Sequence, residues 1–215
     1  MPPITCEDDI ERGLDWLYMA DPRLVPVRQR VEAVRSVSLR LDEPGFAPLV
    51  EIVCSQQISR ASAAAIHARL VDRLVPLSPE RVAAMTDEDA RAIGLSKPKA
   101  RTLRNVAGAV LDGTLDLTAL RNLSADEATE RICAVHGLGP WTAGVYLLFC
   151  EGHPDIFPSG DIALQWSAAD TLNETNPVQT KRLDTLAKAW SPWRSVAARL
   201  LWANYAVLKG REVVP

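Results

Sequence analysis

The sequence predicts an all-α protein, and three observations carry that reading. Apolar residues recur at the three-to-four spacing of amphipathic helices along nearly the whole chain. No stretch alternates with the period of two that a strand needs. Helix-start signals are frequent: Ser59 ahead of an Ala-rich run, Thr86-Asp87-Glu88-Asp89, and the capping box Ser124-Ala125-Asp126-Glu127. Stops follow at Gly94 and Gly113.

In chain order the pattern places helices over 9–20, 27–39, 46–55 and 60–74, the last two joined by Gln56-Gln57-Ile58-Ser59. A short helix starts at Thr86 and ends at Gly94, and another runs from Pro98 to Leu111. The capping box at Ser124 opens a helix to about Val135, and Trp141 to Cys150 forms the next. Further helices are expected over 162–172 and 178–189, with Pro192 in the first turn of a last helix to about Lys209. No linker or internal repeat divides the chain. The expectation is a single unit over residues 1–215: a two-lobed helical bundle with a groove between its lobes.

The chain has 215 residues, enough for a full core, and its 47% hydrophobic and 24% charged content is ordinary for a globular protein. That excludes disordered and low-complexity classes. No apolar run approaches the roughly 20 residues of a membrane span. Nor does the acidic start resemble a signal peptide, so a cytoplasmic location is expected. Cys6, Cys54, Cys133 and Cys150 show no paired spacing, and His67, His136 and His153 form no ligand pair. No side-chain metal centre and no organic or redox cofactor are expected.

The most informative stretch is Val135-His136-Gly137-Leu138-Gly139-Pro140-Trp141-Thr142-Ala143, entered by a capped helix and left by an apolar one. Gly137 and Gly139 let the backbone turn tightly and approach a ligand. Their amides and the start of the next helix, around Thr142, can hold a phosphate without any lysine. The same pattern also suits an ordinary helix–turn–helix corner. Downstream, Asp161 ends a Pro/Ser/Gly loop 22 residues after Gly139 and begins an apolar helix. By default it is an N-cap, yet one helix and a returning loop can bring it back toward the hairpin.

Taken together, the Gly137–Ala143 hairpin and the loop to Asp161 resemble the helix–hairpin–helix base-excision DNA glycosylase superfamily, within it the 3-methyladenine DNA glycosylase II group. Supporting matches are Cys54-Ser55-Gln56-Gln57-Ile58-Ser59, Gly94-Leu95-Ser96 with Lys97 and Lys99, and Trp190-Ser191-Pro192-Trp193-Arg194-Ser195. The resemblance spans about residues 45 to 205. Departures matter too. Trp141 stands where bifunctional members carry a lysine nucleophile, so no Schiff base and no strand cleavage are expected. The cysteine ligands of cluster-containing members have no counterpart.

The resemblance implies excision of alkylated purines of the 3-methyladenine and 7-methylguanine type from double-stranded DNA, in a protein expected to act as a monomer. It makes Asp161 the carboxylate that stabilises positive charge developing on the deoxyribose, with Asp155 as the second choice. The base must leave the duplex. A cationic base wants aromatic faces, and six of the twelve aromatics are tryptophan. Trp141 and Trp202 match the family's pocket aromatics. Tyr146, one helical step off its matching position, and Trp166 are weaker candidates, while Trp16, Trp190 and Trp193 are expected in the core. Gln57 takes the place of the wedge that fills the gap. The hairpin of this family also often holds a monovalent cation on backbone carbonyls.

Net charge is −3, from 24 Lys+Arg against 27 Asp+Glu, which on average argues against a nucleic-acid partner. The distribution alters that. Residues 90–111 contain Arg91, Lys97, Lys99, Arg101 and Arg104 and not one acid. Phosphate contact through Lys97 and Lys99 is the functional reading of that window, a solvated helix face the plain one. Arg194 is expected to be structural. Two other functions stay open: a glycosylase for another class of damaged base, and a non-catalytic DNA-binding module. Asp161 discriminates the last, because a pure binder gains nothing from an acid near phosphate.

Overall fold

A computed structural model describes residues 1–210. Among them are twelve α-helices, three short 3-10 turns and no strand. None of the helices is long and apolar enough to cross a membrane. The described residues divide into two compact units: Met1–Leu41 together with 152–210, and Asp42–Glu151.

The first unit contains α1 (Glu7–Ala20), α2 (Val25–Glu32), α10 (Ile162–Thr171), α11 (Thr180–Ala187) and α12 (Arg194–Lys209). Helix α12 is its axis, packing against α1, α2 and α10. The run Ser195–Asn204 is buried without a break, so α12 is covered on every side. A polar network locks this core. Arg30 on α2 donates to Asp170 (2.5 Å) and to Asn204 Oδ1 (3.0 Å), and Asn204 Nδ2 donates to Ser167 Oγ (3.0 Å) and Asp170 Oδ2 (3.2 Å). Every partner of the buried amide is itself satisfied, as a low-dielectric interior demands.

The second unit contains α3 (Phe46–Ser55), α4 (Arg60–Arg73), α5 (Pro79–Ala83), α6 (Asp87–Ile93), α7 (Lys97–Leu111), α8 (Ala125–Cys133) and α9 (Pro140–Phe149). Helix α9 packs on α3 and α8, and every residue from Thr142 to Phe149 is buried. Side-chain oxygens cap five helices in this unit at Ser59, Ser78, Thr86, Ser96 and Ser124, and the boxes at Thr86/Asp89 and Ser124/Glu127 are both closed.

The all-α expectation holds, with one unforeseen helix and several shifted boundaries. The second helix ends at Glu32, not near Leu39. The buried Arg199 guanidinium takes the carbonyls of Ser38 (3.4 Å) and Arg40 (3.0 Å), and Glu7 takes the amide of Leu39 (3.1 Å). Tertiary partners thus capture backbone groups that a helix would have used, in a Val/Ser-rich stretch of weak helix propensity. Helix α5 was not foreseen, although Ser78-Pro79 is a cap followed by proline at the first helical position. Helix α11 starts two residues late and closes in a 3-10 turn, Lys188–Trp190. The last helix begins at Arg194 after a turn from Trp193 N to Trp190 O (2.8 Å), leaving Pro192 outside it.

Asn204→Ala is expected to lower the unfolding free energy by about 2–4 kcal/mol, because it strips partners from Arg30, Ser167 and Asp170 at once. Urea denaturation of the two proteins measures it.

Candidate active site

In the first unit the loop 152–161 is held at almost every residue. Gly152 lies at φ 64°, and a Cβ there would sit 2.5 Å from the carbonyl oxygen of Ile4, whose own amide donates to Gly152 O (2.7 Å). Ser195 Oγ, fully buried on α12, accepts from Ile156 N (3.0 Å) and donates to His153 O (2.6 Å). Gln165 Nε2 reaches back to Ser159 O (3.0 Å), and Ser159 Oγ bonds the Asp184 carboxylate on α11. The loop then turns through Asp161 N to Pro158 O (2.9 Å) and enters α10.

Asp161 is the N-cap of α10, as its default reading requires, and it does more. Its Oδ1 accepts from Ala163 N (2.9 Å), Leu164 N (3.2 Å) and the indole Nε1 of Trp202 (3.1 Å). Three donors on one oxygen fix the orientation of a carboxylate that is 8% exposed. At a helix N-terminus its negative charge also complements the dipole. This is a charged oxygen atom in a preorganised, largely water-excluded setting, which is what stabilisation of a developing cation needs.

Asp155 is committed elsewhere. Arg194 grips it with Nε (2.7 Å) and Nη2 (3.0 Å), and Ser191 Oγ adds a third bond (2.8 Å). Burial works against its charge, but Arg194 and Ser191 prevail and hold its pKa below the ordinary value. Arg194 is structural, as its place in the first turn of the last helix suggested.

The structure corrects three expected roles. Trp202 has no exposed surface. A ring with no free face cannot stack on a base, and Trp202 instead donates to Asp161 from the interior. Tyr146 is also wholly buried, with its hydroxyl accepting from Gly45 N (2.9 Å); burial drives its pKa far up. Thr142, expected at phosphate, is 2% exposed, and its hydroxyl accepts from Gln56 Nε2 (2.8 Å). Trp141 is partly exposed at the start of α9, and Trp166 is 38% exposed on α10 with the Lys209 ammonium 5.9 Å from its ring. Of the three tryptophans assigned to the core, only Trp190 is fully enclosed, its indole donating to Asp21 (2.9 Å).

In the second unit α8 and α9 form the hairpin. Gly137 lies at φ 103°, and a Cβ there would come 2.1 Å from Thr102 Oγ1 on α7. Glycine is thus demanded twice, by conformation and by contact. Asn105, one turn along α7, donates to His136 O (3.0 Å), and Leu138 plugs the turn into the core. Gly139 differs. Its dihedrals (φ −118°, ψ 176°) suit any residue, and nothing lies within 4 Å of a Cβ built there. No side chain caps the start of α9, where Gly139 is the N-cap and Pro140 follows. The bare glycine keeps that helix end open to an approaching anion.

Between α3 and α4, Gln57 is exposed and lies at φ 57°. A left-handed conformation costs a non-glycine residue about 1–3 kcal/mol and persists only where its surroundings impose it. The basic window divides. Arg104 pairs with Asp87 (2.7 Å) and the Met85 carbonyl (2.9 Å). Lys99 Nζ donates to the Cys54 carbonyl (2.7 Å) at the end of α3, and burial lowers its pKa. Arg91, Lys97 and Arg101 stand exposed. Lys99 therefore closes a helix end, which leaves Lys97 as the exposed member of the pair expected at phosphate. Sequence patterns carried no trace of the Trp202–Asp161, Gln56–Thr142 or Lys99–Cys54 bonds, whose partners are 41, 86 and 45 residues apart.

The chain belongs to the HhH-GPD superfamily of base excision DNA repair proteins, whose family profile matches residues 50–194. It is 31% identical over 195 residues to a probable bifunctional transcriptional activator/DNA repair enzyme AlkA of Mycobacterium tuberculosis. That match covers 86% of this chain and 38% of the relative, so the chain spans well under half of that protein. Among solved structures it superposes on a DNA-3-methyladenine glycosidase of Bacillus halodurans with a TM-score of 0.77 and 29% identity, covering 98% of this chain and 95% of that one. The 3-methyladenine DNA glycosylase of Schizosaccharomyces pombe, solved with abasic DNA, shares the fold at a TM-score of 0.79 and 22% identity over 95% of this chain and all of that one.

Gly137→Ala is expected to destabilise the fold by about 2–4 kcal/mol, from a left-handed alanine and the collision with Thr102. Gly139→Ala should leave the melting temperature within about 1 °C of wild type and weaken binding to duplex DNA. Thermal melts and fluorescence anisotropy on a labelled duplex separate the two glycines.

Proposed function

We propose that the protein is a monofunctional DNA glycosylase that flips alkylated purines out of double-stranded DNA and hydrolyses their N-glycosidic bond. The observation that carries this reading is the buried Asp161 carboxylate with Oδ1 pinned by three N–H donors. Membership of the superfamily, and the names of the relatives above, support it.

Alkylation at N3 or N7 places positive charge on the purine, which then leaves as a neutral base without a general acid. As the C1′–N bond breaks, positive charge moves to the deoxyribose ring. Asp161 lowers the energy of that cation and accepts a proton from the attacking water, whose oxygen forms the new bond to C1′. Trp202 supplies no surface to the base; it keeps Asp161 aimed. The partly exposed Trp141 offers the aromatic face that a cationic base prefers, at about 0.5–2 kcal/mol per contact. The open start of α9 grips a backbone phosphate through neutral amides, and Gln57 enters the gap left by the base.

Among the described residues no group of three or more His, Cys, Asp or Glu side chains is placed to hold a metal ion. A monovalent cation on the backbone carbonyls of the turn 134–139 belongs to the same proposal. It would need no side-chain ligand and would add positive charge beside the phosphate site.

Asp161→Asn keeps an N-cap acceptor, so the fold should survive. Release of 3-methyladenine from methylated duplex should fall by about 10²–10³-fold, while duplex binding persists. Asp155→Asn should do the reverse, costing about 1–3 kcal/mol of stability and leaving the rate per folded molecule unchanged. Mass spectrometry of freed bases, with urea melts alongside, reads both; wild-type release by Asp161→Asn would overturn the assignment. With Trp141 at the position of the lysine nucleophile, borohydride should trap no covalent protein–DNA adduct, and a trapped adduct would establish lyase chemistry.

A further inference from the structure

We infer that Gln56 is a positioning residue for base flipping: its bond to Thr142 holds Gln57 in the conformation that fills the gap. The inference rests on the glycosylase reading above. Gln56 lies at φ −53°, ψ 126°, and Gln57 follows at φ 57°. Those angles match the first central position of a type II turn and the positive φ of its second, a position that favours glycine. The chain instead puts a long polar side chain there and leaves it exposed.

Local preference works against that arrangement, so other contacts must hold it. Three do. Gln56 Nε2 donates to Thr142 Oγ1 at 2.8 Å, and Thr142 is buried in the first turn of α9. Lys99 Nζ donates to Cys54 O at 2.7 Å, closing α3 just before the turn. Ser59 caps α4 just after it, accepting from Ser62 N at 3.2 Å. The two flanking contacts fix where the turn starts and ends. The Gln56–Thr142 bond holds its middle, and it does so against the helix whose open start is the proposed phosphate grip. The gripping element and the gap-filling element therefore move as one piece, and binding at the hairpin delivers Gln57 at a set height.

A purely structural role for Gln56 predicts something different. If the bond only stabilised the fold, its loss would reduce excision equally on every substrate. Gap filling matters only where a complementary strand and a base stack remain to be propped open. Single-stranded DNA has no such gap.

The test compares wild type, Gln56→Leu, Thr142→Val and the double variant. Each acts on the same alkylated oligonucleotide, single-stranded and in duplex, at temperatures where melts show the proteins folded. Duplex excision should fall at least about tenfold in each single variant, mainly in kcat, with far less change on single-stranded DNA. The double variant should be no worse than either single one, because both remove the same bond. A second readout needs no chemistry: 2-aminopurine opposite a tetrahydrofuran abasic analogue should brighten with wild type and much less with either single variant. Equal losses on both substrates, additive losses, or unchanged 2-aminopurine fluorescence would overturn the inference. Failure of wild type to release any base would overturn the glycosylase reading instead, and the fluorescence result would still decide the role of Gln56.

Discussion

One carboxylate oxygen organises the first unit. Asp161 Oδ1 takes two amides from the first turn of α10 and the indole N–H of Trp202 from the middle of α12. An N-cap bond by itself is local and modest, about 1 kcal/mol. The third donor makes it a tertiary constraint, because it ties the start of α10 to the buried axis of the unit. The rest of the unit serves that junction. Ser195 and Arg194, at the beginning of α12, clamp the loop that leads into Asp161, and the Arg30–Asp170–Asn204–Ser167 network fixes α10 on α12 further along. A carboxylate held this way undergoes little reorganisation when positive charge develops beside it, the condition under which electrostatic stabilisation is largest.

The second unit meets a different requirement, which is to present backbone rather than side-chain chemistry. Its hairpin carries no Lys, Arg, Asp or Glu at the turn. Gly137 is dictated by the fold, through its left-handed backbone and the approach of Thr102, whereas Gly139 is free of both demands. The contrast gives two glycines two apart in sequence separate physical jobs: one makes the turn, the other leaves the helix end uncovered. This accounts for a DNA-repair family member with net charge −3. Under the proposed function, affinity that comes from amides and a few exposed cations would release few counterions, and a shallow salt dependence is expected. The partition of the basic window, with Lys99 and Arg104 spent on carbonyl and carboxylate partners, points the same way.

Much of the helical layout was legible because its signals are local. Periodicity and caps such as Ser59, Thr86 and Ser124 act within a turn or two, and those helices begin where expected. The segment after Glu32 was misread as helix because its competitor, the buried Arg199, lies some 160 residues away. Site residues divide on the same principle. Asp161 was readable as the end of a loop and the start of a helix. Trp202, Tyr146 and Thr142 were assigned to ligand contact from their positions in the motifs, but burial is a property of the assembled core. Each proved to face inward, where a polar atom must find a protein partner instead of a ligand.

The sequence by itself therefore determined the all-α class, most helix starts, the glycine hairpin and the place of the acid at a helix N-terminus, because short-range backbone sterics and hydrogen bonding set all of these. Only the tertiary structure decided what each polar group is paired with. It put Trp202 on Asp161, Arg194 on Asp155 and Gln56 on Thr142, across 41, 39 and 86 residues. A hydrogen bond is specified by distances of about 3 Å in space, and such distances between remote residues exist only once the core has packed.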